Sequence, residues 1–311
     1  MTVGIRALSY RFGSRTVGLE DLAEQGLLGS TPETLRGFGF DRVHIAEPGE
    51  DLGCLAASDL LREHEVDPLE IDALIVFGGL PPDPVSVPEG EEATSLFHYP
   101  AGRLQHALGL TRATAFGMGQ QGCAAVLSAL RVARSLLLSG DARNVLCVGI
   151  DIVPAGVRRE VIYNVLSDGA CAMLVSTPWP RLRPVAFRQI TKGYYWDTSA
   201  RRDEIIAAYF PTARNAIRDV VAAAGLTLDD VALVVPDNVS RRGWEILLGL
   251  LGIPEERAFL GAAAVRGHAI TADLVVNLRD AIDARDLAPE SPIAMFTFGF
   301  GANWGAAVLR A

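Results

Sequence analysis

Cys123 lies in Gly119-Gln120-Gln121-Gly122-Cys123-Ala124-Ala125, a run of small residues ahead of a long apolar stretch. Small neighbours let other backbone approach the thiol closely, as in the elbow that presents a nucleophile. A helix starting here would aim unpaired N–H groups and the positive end of its dipole at the sulfur, favouring thiolate. The competing reading is a packed core thiol, the commoner fate of a lone cysteine. His268 follows Gly267 ahead of another helical stretch, with Asp273 five residues on. At that spacing a carboxylate can reach the imidazole and fix its tautomer, as in hydrolase triads. A solvated helix-start histidine is the alternative. Gly299-Phe300-Gly301-Ala302-Asn303-Trp304-Gly305 can aim backbone N–H groups at an oxyanion, or form a tight hairpin whose glycines take positive φ. Together these are the parts of nucleophilic acyl transfer.

The other candidates are weaker. Cys147 and Cys171 fall within strands and Cys54 on an apolar helix face, so all three read as core. His64 sits among charges, His44 and His106 lack acid or glycine context, and His98, beside Phe97 and Tyr99, could line a substrate entrance.

These residues need elements to hold them. Apolar spacing predicts helices over 50–65, 103–110 and 124–139 and strands over 71–77, 145–150 and 169–176. The stretch 81–90 is Pro-rich and acidic and reads as an exposed loop, and 115–122 as a Gly-punctuated segment. The order then repeats, with helices over 212–224, 244–251 and 269–284 and strands over 231–235, 293–298 and 305–310. Asp72-Ala73-Leu74-Ile75-Val76 matches Val231-Ala232-Leu233-Val234-Val235, and Gly169-Ala170-Cys171-Ala172-Met173-Leu174 matches Gly305-Ala306-Ala307-Val308-Leu309. We read two copies of one α/β unit, 1–180 carrying Cys123 and 181–311 carrying His268, built as sheets with helices on their faces. Cys123 and His268 occupy equivalent places before the two long helices. A pseudo-two-fold axis would bring the helix starts, and with them thiol and imidazole, to one site.

Composition narrows the functions. With 28 basic against 37 acidic residues the chain carries −9, so no net positive field recruits nucleic acid or an anionic membrane. Lys192 is the only lysine, so Schiff-base or P-loop chemistry has no other candidate. The four cysteines show no CxxC spacing, which argues against zinc and redox motifs and for free thiols. No glycine fingerprint for a dinucleotide follows a first strand. The N-terminus has no signal-peptide pattern and no run of about 18 apolar residues stands out, so a cytoplasmic protein is expected.

The chain resembles the thiolase superfamily, most closely its ketoacyl synthase III-like branch, over nearly its whole length. The likeness rests on the Cys123 elbow, on Ser167-Asp168-Gly169-Ala170 ahead of a strand, and on residues 299–307, Gly299-Phe300-Gly301-Ala302-Asn303-Trp304-Gly305-Ala306-Ala307. It implies a duplicated five-layered αβαβα fold. It also implies a homodimer joined through the strand beside the nucleophile helix, for which 145–150 is apolar enough. Cys123 would take an acyl group from a thioester of coenzyme A or of an acyl carrier protein, with no metal or other cofactor. The oxyanion would rest on the N–H of Cys123 with one at Phe300 or Gly301.

Condensing members of the branch carry a His after a Val-Pro pair and an Asn in the next Gly-bounded turn. Here those positions are Asp237, in Val235-Pro236-Asp237-Asn238, and His268. The pair that decarboxylates a malonyl thioester is therefore absent. Cys123, His268 and an acid, Asp273 or Asp237, resemble the acyltransferase-type members, which pass the acyl group to a hydroxyl or amine in natural-product pathways. Thr34 and Leu35 stand near where the family often holds adenine with Trp, which favours a carrier-protein donor. Arg241 and Arg242 stand where relatives dock that carrier, a solvated pair at a helix start being the equal alternative. The expected activity is thus acyl transfer through Cys123. A carbon–carbon-forming synthase using His268 alone, and a non-catalytic subunit of a heterodimer, are the rivals.

Overall fold

The computed structural model describes residues 2–80, 92–162 and 164–311, and the loop expected over 81–90 lies outside them. The chain opens with strands β1 (Gly4–Phe12) and β2 (Arg15–Gly18), helices α1 (Leu19–Glu24) and α2 (Pro32–Gly37), and β3 (Arg42–Ile45). Helix α3 (Leu52–Glu63), β4 (Ala73–Phe77), α4 (Pro100–Ala107) and β5 (Thr114–Met118) follow, then α5 (Ala125–Ser139) and β6 (Asn144–Asp151). The short pair β7 (Glu160–Val161) and β8 (Asn164–Val165) leads to β9 (Gly169–Ser176) and β10 (Arg183–Thr191). The remainder is α6 (Arg202–Ala223), β11 (Leu233–Val235), α7 (Arg241–Leu251), α8 (Ala262–Arg266), α9 (Asp273–Ala284), β12 (Pro292–Gly299) and β13 (Asn303–Arg310).

Two sheets share one topology. The first runs β1-β9-β6-β4-β5 and the second β10-β13-β12-β11. Val234 and Ala258 form an isolated parallel bridge where β4 pairs with β5 in the first sheet. Both outer pairs slip register at the same place, between Ile5 and Ala7 in β1 and between Pro184 and Ala186 in β10. A shared irregularity of this kind belongs to one inherited backbone plan.

Alternation along the strands builds the layers. Ile75 and Phe77 of β4 join Met295 of β12 and Leu309 of β13 in a central core with Leu127, Leu130, Val275 and Leu278 of α5 and α9. The opposite faces pack outward. Leu74 and Val76 meet α3 and α4, while Phe296 and Val308 meet α6 and α7. This is the thiolase-like five-layered αβαβα arrangement, with α5 and α9 in the middle layer.

Some elements differ from the sequence reading. β1 and β10 are edge strands whose arginines and polar residues interrupt the apolar period, β10 being largely exposed and β1 largely buried. The first residues of the segment 115–122 belong to β5, which begins at Thr114. The helix expected over 212–224 reaches back through Pro211 to Arg202, and the one expected from 269 begins at Asp273, after a turn at Ile270–Ala272. The strand proposed for a dimer contact, 145–150, is β6, which is paired on both edges by β4 and β9. Among the described residues β5 is the strand of this sheet next to α5 with an unpaired edge. Gly122–Ser139 has the length and apolar character of a membrane span, but Leu127, Leu130 and Leu137 along it are packed in the central core. All four cysteines are free thiols.

The Ser167-Asp168 motif is anchored by charge. Asp168 receives both guanidinium nitrogens of Arg159 at 2.9 and 3.0 Å, and the amides of Ala46 and Val153 at 2.9 Å each. Both side chains are buried. Removing one partner strands the other charge in low dielectric. Asp168→Asn should therefore cost about 3–5 kcal/mol of stability, read as the loss in unfolding free energy in urea. A loss below about 1 kcal/mol would show that the pair is not sustained.

Candidate active site

Two glycines let the halves touch at the nucleophile. Gly122 has φ +53°, and a Cβ added there would sit 2.5 Å from the Phe300 amide nitrogen. One added at Gly299 would sit 1.9 Å from the Gln121 carbonyl oxygen and 2.8 Å from the Cys123 nitrogen. Backbone therefore lies directly on backbone, and the amides of Cys123 and Phe300 come together. Among the described residues neither amide donates to a loop or cap carbonyl. Two unpaired amides brought together in this way are the candidates for an oxyanion cradle. The Gly301 amide donates to Thr198 Oγ1 at 3.4 Å instead, which leaves Phe300 as the candidate for the second donor. Gly301 provides the positive φ of the turn, +80°.

Cys123 is buried in the turn that leads into α5. Its Sγ lies 3.5 Å from His268 Nε2. His268 Nδ1 lies 2.5 Å from Asp273 Oδ2, so the proton sits on Nδ1 and Nε2 addresses the sulfur. The His268 backbone is clamped by the first half: its N–H donates to the Val165 carbonyl at 2.8 Å, and its carbonyl accepts from Ser167 N–H at 3.0 Å. Ser167 Oγ accepts from His44 N–H at 2.9 Å and donates to the Arg266 carbonyl. The sequence motif around Ser167 thus holds the base in place from the opposite repeat.

The turn after His268 is strained. Ile270 adopts φ +53°, a poor conformation for a β-branched residue. Asp151 at the end of β6 holds it, accepting from the Thr271 amide and hydroxyl and from the amides of Gly79 and Leu80. Ile270 then packs with Val153 and Leu166 around Cys123.

Asp273 has no exposed surface. Besides His268 it accepts from Asn238 N–H at 2.6 Å, Ala269 N–H at 2.7 Å and, more weakly, Asn238 Nδ2 at 3.4 Å. Asn277 Nδ2 secures the Asn238 loop through Asn238 Oδ1 at 2.9 Å and the Pro236 carbonyl at 2.8 Å. Burial opposes an imidazolium here, but the Asp273 and Cys123 charges and hydrogen bonds outweigh it and hold His268 well above the usual histidine range. Burial pushes the Cys123 thiol up, and His268 draws it part of the way back. Thiol and imidazole are therefore a coupled pair that shares one proton between Sγ and Nε2.

Of the two acids considered for orienting His268, the structure joins Asp273 to the imidazole. Asp237 instead accepts from Trp244 Nε1 at 3.1 Å and from Phe298 N–H at 3.1 Å, and among the described contacts it makes no hydrogen bond to His268. It is buried beside the triad, and chiefly for that reason its carboxyl is pushed up to about 6. Arg241 and Arg242 lie at the start of α7, where both pair with Glu245, at 3.0 and 3.1 Å. Asn238, Asn277, Asp151 and Thr271 escaped the sequence reading. Asn277 carried a signal, since it stands one turn after Asp273 on α9. Among the described residues no group of three or more His, Cys, Asp or Glu could hold a metal ion.

Two family models match this chain: 3-oxoacyl-[acyl-carrier-protein] synthase III over residues 119–193 and its C-terminal counterpart over 221–311. The chain belongs to the ketoacyl-ACP synthase III branch of the thiolase superfamily. It is 26% identical over 291 residues to the beta-ketoacyl-[acyl-carrier-protein] synthase III of Aquifex aeolicus, covering 89% of each chain. The crystal structure of 3-oxoacyl-[acyl-carrier-protein] synthase III from the same organism superposes with a TM-score of 0.84 at 23% identity, over 99% of this chain and 100% of that one. ChlB3, named an acyltransferase, superposes at 0.83 with 21% identity, over 100% of this chain and 98% of that one.

The geometry ranks the two acids. Asp273→Asn removes the negative charge that stabilises the imidazolium, so His268 should titrate at lower pH, followed by NMR of the imidazole. Transfer from a preformed acyl-enzyme should slow by about 10²–10⁴-fold. An unchanged His268 titration would refute the assignment of Asp273 as its partner.

Proposed function

We propose that the protein is an acyltransferase that carries an acyl group from a coenzyme A or carrier-protein thioester, through Cys123, to a hydroxyl or amine in natural-product biosynthesis. The observation that carries this reading is the unbroken line Cys123 Sγ–His268 Nε2 and His268 Nδ1–Asp273, with a carboxylate, Asp237, where condensing relatives place histidine. His268 takes the Cys123 proton as the thiolate attacks, and the oxyanion settles on the Cys123 and Phe300 amides. The departing thiolate receives that proton, which leaves His268 neutral. It then accepts the proton of the attacking acceptor, with Asp273 stabilising the imidazolium.

The second reading is carbon–carbon bond formation, favoured by the names of the relatives. Decarboxylation of a malonyl thioester builds negative charge on the carbonyl oxygen, and a carboxylate at Asp237 opposes it. Wild-type protein should accordingly release no carbon dioxide from a malonyl thioester above background. Stoichiometric release coupled to a new carbon–carbon bond would replace acyl transfer with condensation. Intact mass after mixing with a panel of acyl thioesters should show one acyl group on the wild type and none on Cys123→Ala. No mass gain with any donor would favour the non-catalytic subunit.

The fold also supports an assembly reading. We take 1–180 and 181–311 as the two repeats and the unpaired edge of β5 as the homodimer contact, since an exposed strand edge is a template for pairing. Arg242, more exposed than Arg241, is the better placed of the two for an acidic carrier protein. Light scattering at micromolar concentration should return twice the 33.2 kDa chain mass, and a proline at Phe116 of β5 should shift it toward the monomer.

A further inference from the structure

The triad leaves Asp237 unexplained. Its side chain is 1% exposed, yet among the described residues the firm donors to the carboxylate are Trp244 Nε1 on Oδ1 and Phe298 N–H on Oδ2, with the Thr297 side chain as a looser third contact. A carboxylate accepts roughly four hydrogen bonds. The two comparably buried acids nearby fill that capacity. Asp168 takes both nitrogens of Arg159 and two amides. Asp273 takes His268, two amides and the Asn238 side chain. Asp237 has no such complement, and among the described residues no Lys, Arg or His nitrogen lies within ion-pair distance of it. A buried carboxylate without a cation is costly, and the cost is relieved by a ligand that brings positive charge and N–H donors.

Its position ties that vacancy to the reacting atoms. The next residue, Asn238, binds Asp273 through its amide, and Phe298 lies two residues before the Phe300 oxyanion donor. The charged and titratable groups facing Asp237 are His268 and Asp273 from the turn before α9 and its first residue, Cys123 from the start of α5, and Tyr209 from α6. Arg36 and Arg241 line a cavity that Asp237 also borders, and each is already paired, with Glu20 and Glu245 respectively.

We propose that Asp237 docks a primary amine acceptor as its ammonium ion and takes its first proton, so that the product is an amide rather than an ester. The inference rests on the acyl-transfer reading above. An alcohol gives up one proton in acyl transfer, and His268 suffices for it. An ammonium must give up two. The first passes from R–NH₃⁺ to the Asp237 carboxylate, helped by desolvation of the ammonium in the closed site. The freed lone pair attacks the acyl carbonyl carbon and forms the C–N bond. The second N–H proton goes to His268 Nε2 as the C–S bond breaks, and His268 returns it to the Cys123 thiolate. Asp237 loses its proton to solvent when the amide leaves.

The test uses preformed acyl-enzyme and acceptors that share one skeleton, 2-phenylethylamine and 2-phenylethanol, with disappearance of the acyl mass as the readout. Background aminolysis of the free thioester is subtracted. Wild-type protein should consume the amine at least about tenfold faster than the alcohol, and Asp237→Asn should lower that ratio by at least about tenfold. A second measurement needs no variant. The trimethylammonium analogue of the amine should inhibit transfer at about tenfold lower concentration than its uncharged tert-butyl counterpart. Alcohol transfer equal to amine transfer, a ratio unmoved in Asp237→Asn, or equal inhibition by the charged and neutral analogues would overturn the amine assignment and leave acyl transfer standing. Failure of every thioester to acylate Cys123 would overturn the reading beneath it.

Discussion

A carboxylate with no exposed surface, Asp273, sets the terms for the rest of the site. An ion taken out of water without partners costs several kcal/mol, so the chain must deliver donors to it from several directions. It does so with the imidazole of His268, the amide of Ala269 and the amide and side chain of Asn238. Each serves the chemistry as well. The Ala269 amide brings the residue after the base close to the acid, and the Asn238 loop carries Asp237 into position. Asn277, one turn further along α9, then has to hold Asn238. The preorganised base is a product of satisfying this one buried charge.

Duplication supplies the frame in which that charge can sit. Each repeat ends a sheet near the start of a central helix, and two such starts facing one another create a site to which neither repeat contributes everything. The first repeat provides the thiol and, through Val165 and Ser167, the backbone clamp on His268. The second provides base, acid and the Phe300 amide. The contact of Gly122 with Gly299 and Phe300 lays the backbone of one half directly on that of the other, and a single added Cβ on either side would force them apart.

The repeats have diverged where their roles differ. The elbow before α5 places its left-handed residues, Gln120 and Gly122, ahead of Cys123, and a 3-10 turn over Gly122–Ala124 leads into the helix. The turn before α9 carries Ile270 in a left-handed conformation, held by Asp151 from the other repeat. Strain of this kind persists only where surroundings over-determine it. Here it lets the chain turn from the clamped His268 into α9 soon enough for Asp273 to face back to the imidazole. Asp168 with Arg159 stabilises the loop on which this clamp depends.

The sequence by itself determined the duplicated α/β plan, the cysteine at one helix start and the histidine at the other, because hydrophobic period and glycine punctuation are local signals. It also carried the five-residue spacing that lets Asp273 meet His268. It did not separate Asp273 from Asp237, since both flank the base along the chain and only the path of the Asn238 loop turns one carboxylate toward the imidazole and the other toward Trp244 and Phe298. Edge strands β1 and β10 were hidden by the arginines and polar residues that break their apolar period, and the apolar run of β6 masked the fact that β5 holds the open edge. Asp151, Thr271 and Asn277 gained their roles entirely from tertiary structure, because hydrogen-bond partners 39 to 120 residues apart leave no trace in local pattern.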